Sequence, residues 1–312
     1  MNKLKKVGLT ALATTLVASS AYAGEMSVSG SASLNYSGIS TNSNVNPWTM
    51  GDSVTFAGGG DLDNGMTVNV SYELDGGNYD DYSLKLGLGD GAGTVTFSGN
   101  SVNAGGVDTV KDIVPTAYTA VYENTNAVDN GLATTSGRNT TSMWGYSNSV
   151  DDLAFSLGYN HKNSTASTDN GAETSIGLTY TPSMMDGLTV VAGRMDDNSI
   201  ATNDTYGVKY TAGSVTAAYQ VTTVEYDATA TADQDARHYG VSFAVNENLS
   251  ISAGRLSVDI DGSVDDEVNT GVSASYTMGS ITIGTAMNEV RSPGGVTGTK
   301  DEVTSLNIGF AF

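Results

Sequence analysis

The chain has 312 residues with 34 acidic and 13 basic side chains, a formal net charge of −21, and no cysteine. A surface this acidic repels polyanions, so we do not expect a nucleic-acid partner. The absence of cysteine excludes a small fold held together by disulfides.

The N-terminus has the three parts of a secretory signal peptide. Lys3, Lys5 and Lys6 are followed by a largely apolar stretch at 7–18, and Ala21-Tyr22-Ala23 provides the cleavage pattern. The apolar stretch is shorter than the roughly 20 residues of a spanning helix. The sequence therefore predicts a signal peptide over 1–23 and a mature domain over 24–312. The predicted mature net charge is −24, because the signal removes three lysines and no acid.

Apolar and polar residues alternate along the mature chain, and this period of two is typical of β-strands with two different faces. In the first such segment, an apolar set alternates with serines and an asparagine: Met26, Val28, Ala32, Leu34 and Tyr36 against Ser27, Ser29, Ser31, Ser33 and Asn35. We predict sixteen strands, over 25–38, 53–62, 66–74, 82–89, 93–100, 142–150, 153–163, 173–184, 188–198, 204–211, 214–227, 236–245, 249–260, 267–278, 281–290 and 301–312.

The alternation alone fits either a soluble β-sandwich or a barrel with lipid outside and water inside. The connectors favour the barrel, because longer odd-numbered connectors alternate with short turns rich in Asp, Asn and Gly. Aromatic residues also fall near predicted strand ends, as in interfacial girdles. With the N-terminus in the periplasm, the residues at the outer ends of their strands are Tyr36, Tyr72 and Tyr226. Those towards the periplasmic ends are Tyr180, Tyr210, Tyr276, Phe310 and Phe312.

One connector, at 101–141, is far longer than the others, and connectors of this length are usually functional or disordered. It contains Asp108, Lys111, Asp112, Glu123, Asp129 and Arg138. At this point the chain resembles the general porin family of Gram-negative bacteria, including the sixteen-stranded porins of alphaproteobacteria. The resemblance covers the entire mature chain. It rests on strand number, alternating turns and loops, the long third loop and the terminal Phe312.

The resemblance implies an all-β, transmembrane, antiparallel up-and-down barrel whose third loop folds into the lumen and narrows it. Acidic residues on that loop would face basic residues on the wall. The acidic candidates are Asp108, Asp112, Glu123 and Asp129, and Arg138 lies on the same loop. The wall candidates are Lys85 and Lys209, which fall in the polar phase of their strands. The resemblance also implies a homotrimer in the outer membrane, in contact with its lipid.

Two further arginines, Arg194 and Arg255, each end an Ala-Gly-Arg sequence at which the apolar phase changes. A change of phase at glycine suggests a β-bulge that would turn the arginine into the lumen. The alternative is a position at the rim of the barrel, since a charge facing lipid at mid-plane costs roughly 2–4 kcal/mol.

These features predict a passive channel for small polar solutes and ions, with a mild cation preference because the chain is acidic and the predicted wall carries few cations. The alternatives are a substrate-specific outer-membrane channel, a non-transport barrel and a secreted β-protein. No enzymatic constellation is recognisable, and His161 and His238 are expected at the surface. No cofactor is expected, although the acidic segments Asp259–Gly262 and Asp265–Glu267 leave Ca²⁺ binding as a weaker alternative to a solvated loop.

Overall fold

The computed structural model describes residues 26–39, 46–99, 104–123, 143–161, 172–197, 201–228 and 231–312. The predicted signal peptide lies outside these residues. Sixteen antiparallel strands form one closed barrel in which each strand pairs with its neighbours in sequence, which confirms the predicted fold class. The strands are β1 Met26–Ile39, β2 Trp48–Asp61, β3 Thr67–Asp75, β4 Asn78–Gly87, β5 Thr94–Gly99, β6 Met143–Val150, β7 Leu153–Asn160, β8 Glu173–Tyr180, β9 Leu188–Asp197, β10 Ala201–Ala212, β11 Val215–Tyr226, β12 Gln234–Ala244, β13 Leu249–Ile260, β14 Glu267–Met278, β15 Ile281–Arg291 and β16 Lys300–Ala311.

The barrel closes through the pairing of β1 with β16, so the sheet has no free edge. At the junction, the Gly30 amide donates to the Phe312 carbonyl at 2.8 Å and the Phe312 amide donates to the Gly30 carbonyl at 2.9 Å. Closure matters because unpaired backbone groups are costly in lipid. None of the helices in the described ranges is long and apolar enough to cross a membrane.

Two strands begin four or more residues earlier than their sequences predict. β2 starts at Trp48 instead of residue 53, and β4 starts at Asn78 instead of residue 82. The predicted loop over 75–81 is a two-residue turn, in which Gly76 and Gly77 have φ of 55° and 81°. The acidic residues after this turn lie within β4, where the register shifts opposite Tyr72 and Leu74 as in a β-bulge.

The outer face of β2–β6 carries a continuous series of aromatic rings. Phe56 stacks on Tyr72 with ring centroids 5.0 Å apart, and Phe97 contacts Trp144 at 4.9 Å. Tyr79 and Tyr82 connect these two pairs. This position suits rings that lie at a membrane interface.

The predicted girdle needs one correction, at Tyr226. This residue pairs with the buried Ala201, and it follows the outward-facing Glu225, so it lies on the inner face. Exposed tyrosines on the outer face of β10–β12 include Tyr206, Tyr219 and Tyr239, which lie towards the middle of their strands.

Residues 104–123 of the long connector, hereafter the inner loop, run along the inside of the barrel from β6 to β15. The wall beneath them lacks side chains at eight positions that contact the loop. A Cβ atom at Gly193, for example, would lie 2.7 Å from a methyl of Val110 and 2.8 Å from a methyl of Val107. Glycine therefore permits an approach that any other residue would obstruct. This glycine track consists of Gly145, Gly158, Gly177, Gly193, Gly207, Gly240, Gly254 and Gly284.

Hydrogen bonds from wall side chains hold the backbone of the inner loop in place. The Ser156 hydroxyl accepts from the Gly106 amide at 2.8 Å, and the Asn288 amide donates to the Ala120 carbonyl at 2.8 Å. Gln220 on β11 is buried and makes three hydrogen bonds to the loop: its oxygen accepts from the Ile113 amide, and its nitrogen donates to the carbonyl oxygens of Val110 and Lys111. Unpaired backbone groups are costly when buried, so these bonds compensate for moving the loop out of water.

Apolar contacts complete the attachment. Val107, Val110, Ile113 and Val114 of the inner loop are buried in one cluster that also includes wall residues of β9 and β11. Further along the loop, Val121 packs in a second cluster with wall residues of β12 and β13. The inner loop is thus a fixed lining of the wall.

We predict that Gly76→Val destabilises the barrel by about 1–2 kcal/mol, the cost of a left-handed conformation for a residue with Cβ. Gly76→Asn should be tolerated, because asparagine accepts this conformation in hairpin turns. No atom lies within 4 Å of a Cβ at this position, so the two variants differ in backbone preference alone. The free energy of unfolding in detergent micelles measures the difference, and equal values for the two variants would refute the role of φ.

We also predict that Gly193→Val loosens the inner loop, because the new side chain overlaps Val107 and Val110. Trypsin cleavage after Lys111 in the folded barrel should accelerate roughly tenfold, as overpacking of 1–3 kcal/mol implies. The matched control is Gly309→Val, since Cβ at Gly309 makes no contact closer than 3.4 Å and none with the loop. An unchanged cleavage rate in Gly193→Val would contradict the packing role of the glycine track.

Candidate functional site

Lys85 points into the lumen near the start of the inner loop. Gly145 contacts the loop, and directly paired residues of neighbouring strands point to the same face. Gly145 pairs with Thr96, which in turn pairs with Lys85. The Lys85 side chain is exposed and makes no ion pair within the described part of the chain. The structure therefore places this lysine where the alternation predicts it, on the wall of the lumen.

The acidic residues of the inner loop are partly neutralised by a lysine of the same loop. The Lys111 ammonium lies 3.0 Å from a carboxylate oxygen of Asp108 and 3.4 Å from one of Asp112. Burial lowers the pKa of Lys111, but the two carboxylates outweigh this effect, and the pKa lies above its usual value. Lys111 is therefore charged at neutral pH, and these ion pairs are lost only as the pH rises into the alkaline range.

The other predicted loop residues have different positions. Glu123 is exposed at the end of the inner loop, and it has no neighbouring cation among the described ion pairs. With Asp108, Lys111 and Asp112, it gives the inner loop a formal net charge of −2. Asp129 and Arg138 lie outside the described residues.

Lys209 also faces the lumen, nearer the periplasmic end. Its neighbour two residues earlier, Gly207, contacts Ile113 of the inner loop, and residues two apart in a strand share a face. Lys209 is half-buried and pairs across the ladder with Ala218 and Thr189. Both predicted wall lysines thus lie on the inner face, and their role in a constriction remains a prediction.

Arg194 and Arg255 face outwards, and the predicted bulges are wrong. The ladders of β9 and β13 pass through both Ala-Gly-Arg sequences without a shift in register. Gly254 and the buried Leu256 lie on the inner side next to Val121, which leaves Arg255 on the outer side with Ile251. The change of phase has another cause: towards the outer end of these strands, the outer face becomes polar and the inner face becomes apolar.

Arg194 shows how such an outward charge is accommodated. Its guanidinium donates to the Asp204 carboxylate on the neighbouring strand at 2.9 Å. Of the eight Lys and Arg residues in the described ranges, five lie on the outer face near the outer strand ends: Arg194, Arg237, Arg255, Arg291 and Lys300. The lumen wall therefore receives fewer cations than the sequence predicts.

The wall opposite the inner loop is lined by hydroxyl and amide groups. Ser31 on β1 hydrogen-bonds Ser53 on β2 at 3.0 Å, and the Asn35 amide donates to Ser33 at 3.0 Å. The Asn307 amide of β16 donates to the Asn35 side chain. We call this surface, formed by the inner faces of β16 and β1–β3, the hydroxyl wall. It offers solutes hydrogen bonds, and on β3 it also carries the carboxylates of Glu73 and Asp75, which pair across the ladder with Thr55 and Ser53.

His238 is buried, contrary to its expected surface position. It is only 4% exposed, faces inwards, and its ring contacts that of Tyr122 of the inner loop at 5.7 Å. It pairs across the ladder with Gln220, whose side chain makes three hydrogen bonds to the loop. Sequence reasoning also missed Gln220 and the glycine track. The available signal was glycine in the polar phase of successive strands, which was interpreted as part of the water-facing surface.

The acidic segments that could have bound Ca²⁺ do not converge on one point. In the described ranges, no group of three or more His, Asp or Glu side chains is arranged to hold a metal ion. The Glu267 carboxylate is buried, and it accepts hydrogen bonds from the Asn269 side chain at 2.8 Å and from the Gly294 amide at 2.9 Å. These bonds tie β14 to the last loop.

Comparison with known proteins identifies the family. Residues 8–312 match the family described as Gram-negative porin, whereas no curated protein sequence matches the chain. A porin structure refined at 1.8 Å resolution has 16% identity and a TM-score of 0.69, with 92% of this chain and 100% of that chain covered. OmpT, an outer membrane protein of Vibrio cholerae, has 12% identity and a TM-score of 0.69, with coverages of 93% and 98%.

A third similar structure is the anion-selective porin from Comamonas acidovorans, with 12% identity, a TM-score of 0.70 and coverages of 93% and 100%. At these identities the structural likeness concerns the fold. The family match spans nearly the whole sequence and agrees with the closed sixteen-stranded barrel. The chain therefore belongs to the Gram-negative porin family of the outer membrane.

Proposed function

We propose that this porin passes small hydrophilic solutes and ions with a mild preference for cations, between the inner loop and the hydroxyl wall. Members of this family are passive diffusion channels of the outer membrane. The proposed path and cation preference rest on the position of the inner loop. It is fixed on the inner wall by the glycine track and by Gln220, and it brings three carboxylates and one lysine into the lumen.

The sign of the selectivity is argued from the charges that a solute would meet. The inner loop contributes a net charge of −2, while the inner wall contributes Lys85 and Lys209 as the strand cations of the described ranges. The Asp108–Lys111–Asp112 group weakens the field of the loop because its charges partly cancel. The hydroxyl wall adds hydrogen-bonding groups and the inward-facing carboxylates of Glu73 and Asp75 on β3. We therefore infer a cation preference that Lys85, Lys209 and Lys111 keep mild.

The fold by itself does not determine this sign, because one structural neighbour is an anion-selective porin. The proposal therefore depends on this chain's own residues, and in particular on the outward position of Arg194 and Arg255. Had these two arginines faced the lumen, the balance of inner charges would have favoured anions more.

We also propose that the barrel is a homotrimer, as the family resemblance implies. The continuous rings on the outer face of β2–β6 support this, because exposed aromatic surfaces are enriched at protein interfaces as well as at lipid boundaries. The mass of the detergent-solubilised protein, determined by light scattering, tests the proposal, and a monomeric mass would refute it.

We predict that replacing residues 101–141 with a short turn raises single-channel conductance in planar bilayers, because the inner loop then no longer occupies part of the lumen. Folding of the variant is checked by its resistance to SDS before heating, since the loop also covers apolar wall residues. A folded variant whose conductance equals that of the parent would show that the loop does not narrow the channel.

We further predict that inner and outer cations differ in their effect on ion selectivity. Lys85→Gln and Lys111→Gln each remove a positive charge from the lumen, so reversal potentials in a salt gradient should shift towards stronger cation preference. Arg194→Gln and Arg255→Gln are matched controls that remove the same charge from the outer face, and they should leave the potential unchanged. The proposed selectivity is wrong if the parent channel prefers anions or if the two pairs of variants behave alike.

A further inference from the structure

The turn that connects β8 and β9, at residues 181–187, exposes two consecutive methionines to water. Met184 is 90% exposed and Met185 is 52% exposed. No other large apolar side chain in the described ranges is as exposed as Met184. The turn lies on the periplasmic side, because β8 is an even-numbered strand and short turns of such barrels face the periplasm. Both thioethers therefore meet periplasmic water.

Hydrogen bonds of the backbone hold this turn in place. The Met185 amide donates to the Pro182 carbonyl at 3.0 Å. Asp152 of the preceding periplasmic turn accepts twice: its carbonyl bonds the Thr181 amide at 2.9 Å, and its carboxylate bonds the Ser183 amide at 2.9 Å. The two thioether side chains take no part in these bonds. The conformation of the turn is thus independent of the chemical state of the two sulfur atoms.

The other methionines of the described ranges are shielded or engaged. Met143 and Met195 are buried, and Met195 packs in the apolar cluster that holds the inner loop. The Met66 sulfur accepts a hydrogen bond from the Asn64 side chain at 3.0 Å. Four methionines lie on the outer face of the barrel, where lipid surrounds them: Met26, Met50, Met278 and Met287.

A water-exposed thioether is a target for two-electron oxidants such as hydrogen peroxide and hypochlorous acid. With hypochlorous acid, the sulfur gains the oxygen atom and is oxidised by two electrons, the chlorine leaves as chloride, and the proton passes to water. The product is a sulfoxide, which is polar and which methionine sulfoxide reductases return to the thioether. The reaction therefore converts an apolar side chain into a polar one in a reversible manner.

We propose that Met184 and Met185 form an oxidation site for small water-borne oxidants of this class at the periplasmic face of the porin. The sulfoxides are tolerated there, because both side chains are exposed and neither belongs to an apolar cluster of the described core. Oxidation of Met195 would have the opposite result, since a polar group would enter the cluster that fixes the inner loop. The exposed pair thus takes up oxidant where the packing of the barrel is unaffected.

The test uses the full barrel in a bilayer of saturated phosphatidylcholine, with a limiting amount of hypochlorous acid as the probe. Mass spectrometry of peptides, with fragmentation to assign the residue, measures the gain of one oxygen atom at each methionine. Met184 should be oxidised first and Met185 second. Met195 should react at least about a hundredfold more slowly than Met184, because its exposure requires a local opening of the packed core.

Two double variants compare the exposed pair with lipid-facing methionines. Met184→Leu/Met185→Leu removes both exposed thioethers, so most of the oxygen uptake of the parent should be lost. Met278→Leu/Met287→Leu is the matched control, since it removes the same number of thioethers from the outer face, and its oxygen uptake should equal that of the parent. The oxidised parent should keep its resistance to SDS before heating and its single-channel conductance.

Oxidation of Met195 or Met287 as fast as that of Met184 would overturn the proposal, as would undiminished oxygen uptake by Met184→Leu/Met185→Leu. Loss of SDS resistance in parent protein oxidised only at Met184 and Met185 would overturn the claim that the sulfoxides are tolerated. These outcomes are distinguishable from a failure of the proposed ion selectivity, which is measured by reversal potentials and depends on charges in the lumen.

Discussion

The structure depends on one constraint: a sheet that crosses lipid must leave no backbone hydrogen-bonding group unpaired. Pairing of β1 with β16 meets this constraint, and the reciprocal bonds between Gly30 and Phe312 extend the seam to the chain terminus. Closure creates two surfaces from one alternating sequence. It also encloses a lumen into which a long connector can fold. The part of the lumen that the connector leaves open forms the channel.

The inner loop meets a second, local constraint, because a polypeptide placed against a wall has to bury its own backbone groups. The wall has glycines where the loop approaches it closely. Where the amides and carbonyls of the loop need hydrogen-bond partners, the wall provides the side chains of Ser156, Gln220, Ser252, Ser273 and Asn288. Between these bonds, valines and isoleucine of the loop are buried in apolar clusters. The wall of the lumen is thus specialised for packing over β6–β15 and for solvation over the hydroxyl wall.

The distribution of charge follows the same division. On β9–β16 the strands continue beyond the apolar belt, and their outer surface there carries most of the described cations. Some are neutralised by neighbouring carboxylates, as in the Arg194–Asp204 and Lys300–Glu289 pairs. The lumen is left with few cations and a partly self-compensated loop. Solute selectivity and contacts with membrane lipid are therefore properties of opposite faces of the same strands.

The sequence by itself determined the number of strands, the face of most residues and the antiparallel barrel, because the period of two is a local property of each strand. It also placed Lys85 and Lys209 on the inner face. It could not distinguish a β-bulge from a true exchange of polarity at Arg194 and Arg255, since both produce the same change of phase. Nor could it identify Gly193, Gln220 or His238 as loop contacts. Those roles depend on which distant segment lies against the wall, and only the closed tertiary structure brings residues more than a hundred positions apart into contact.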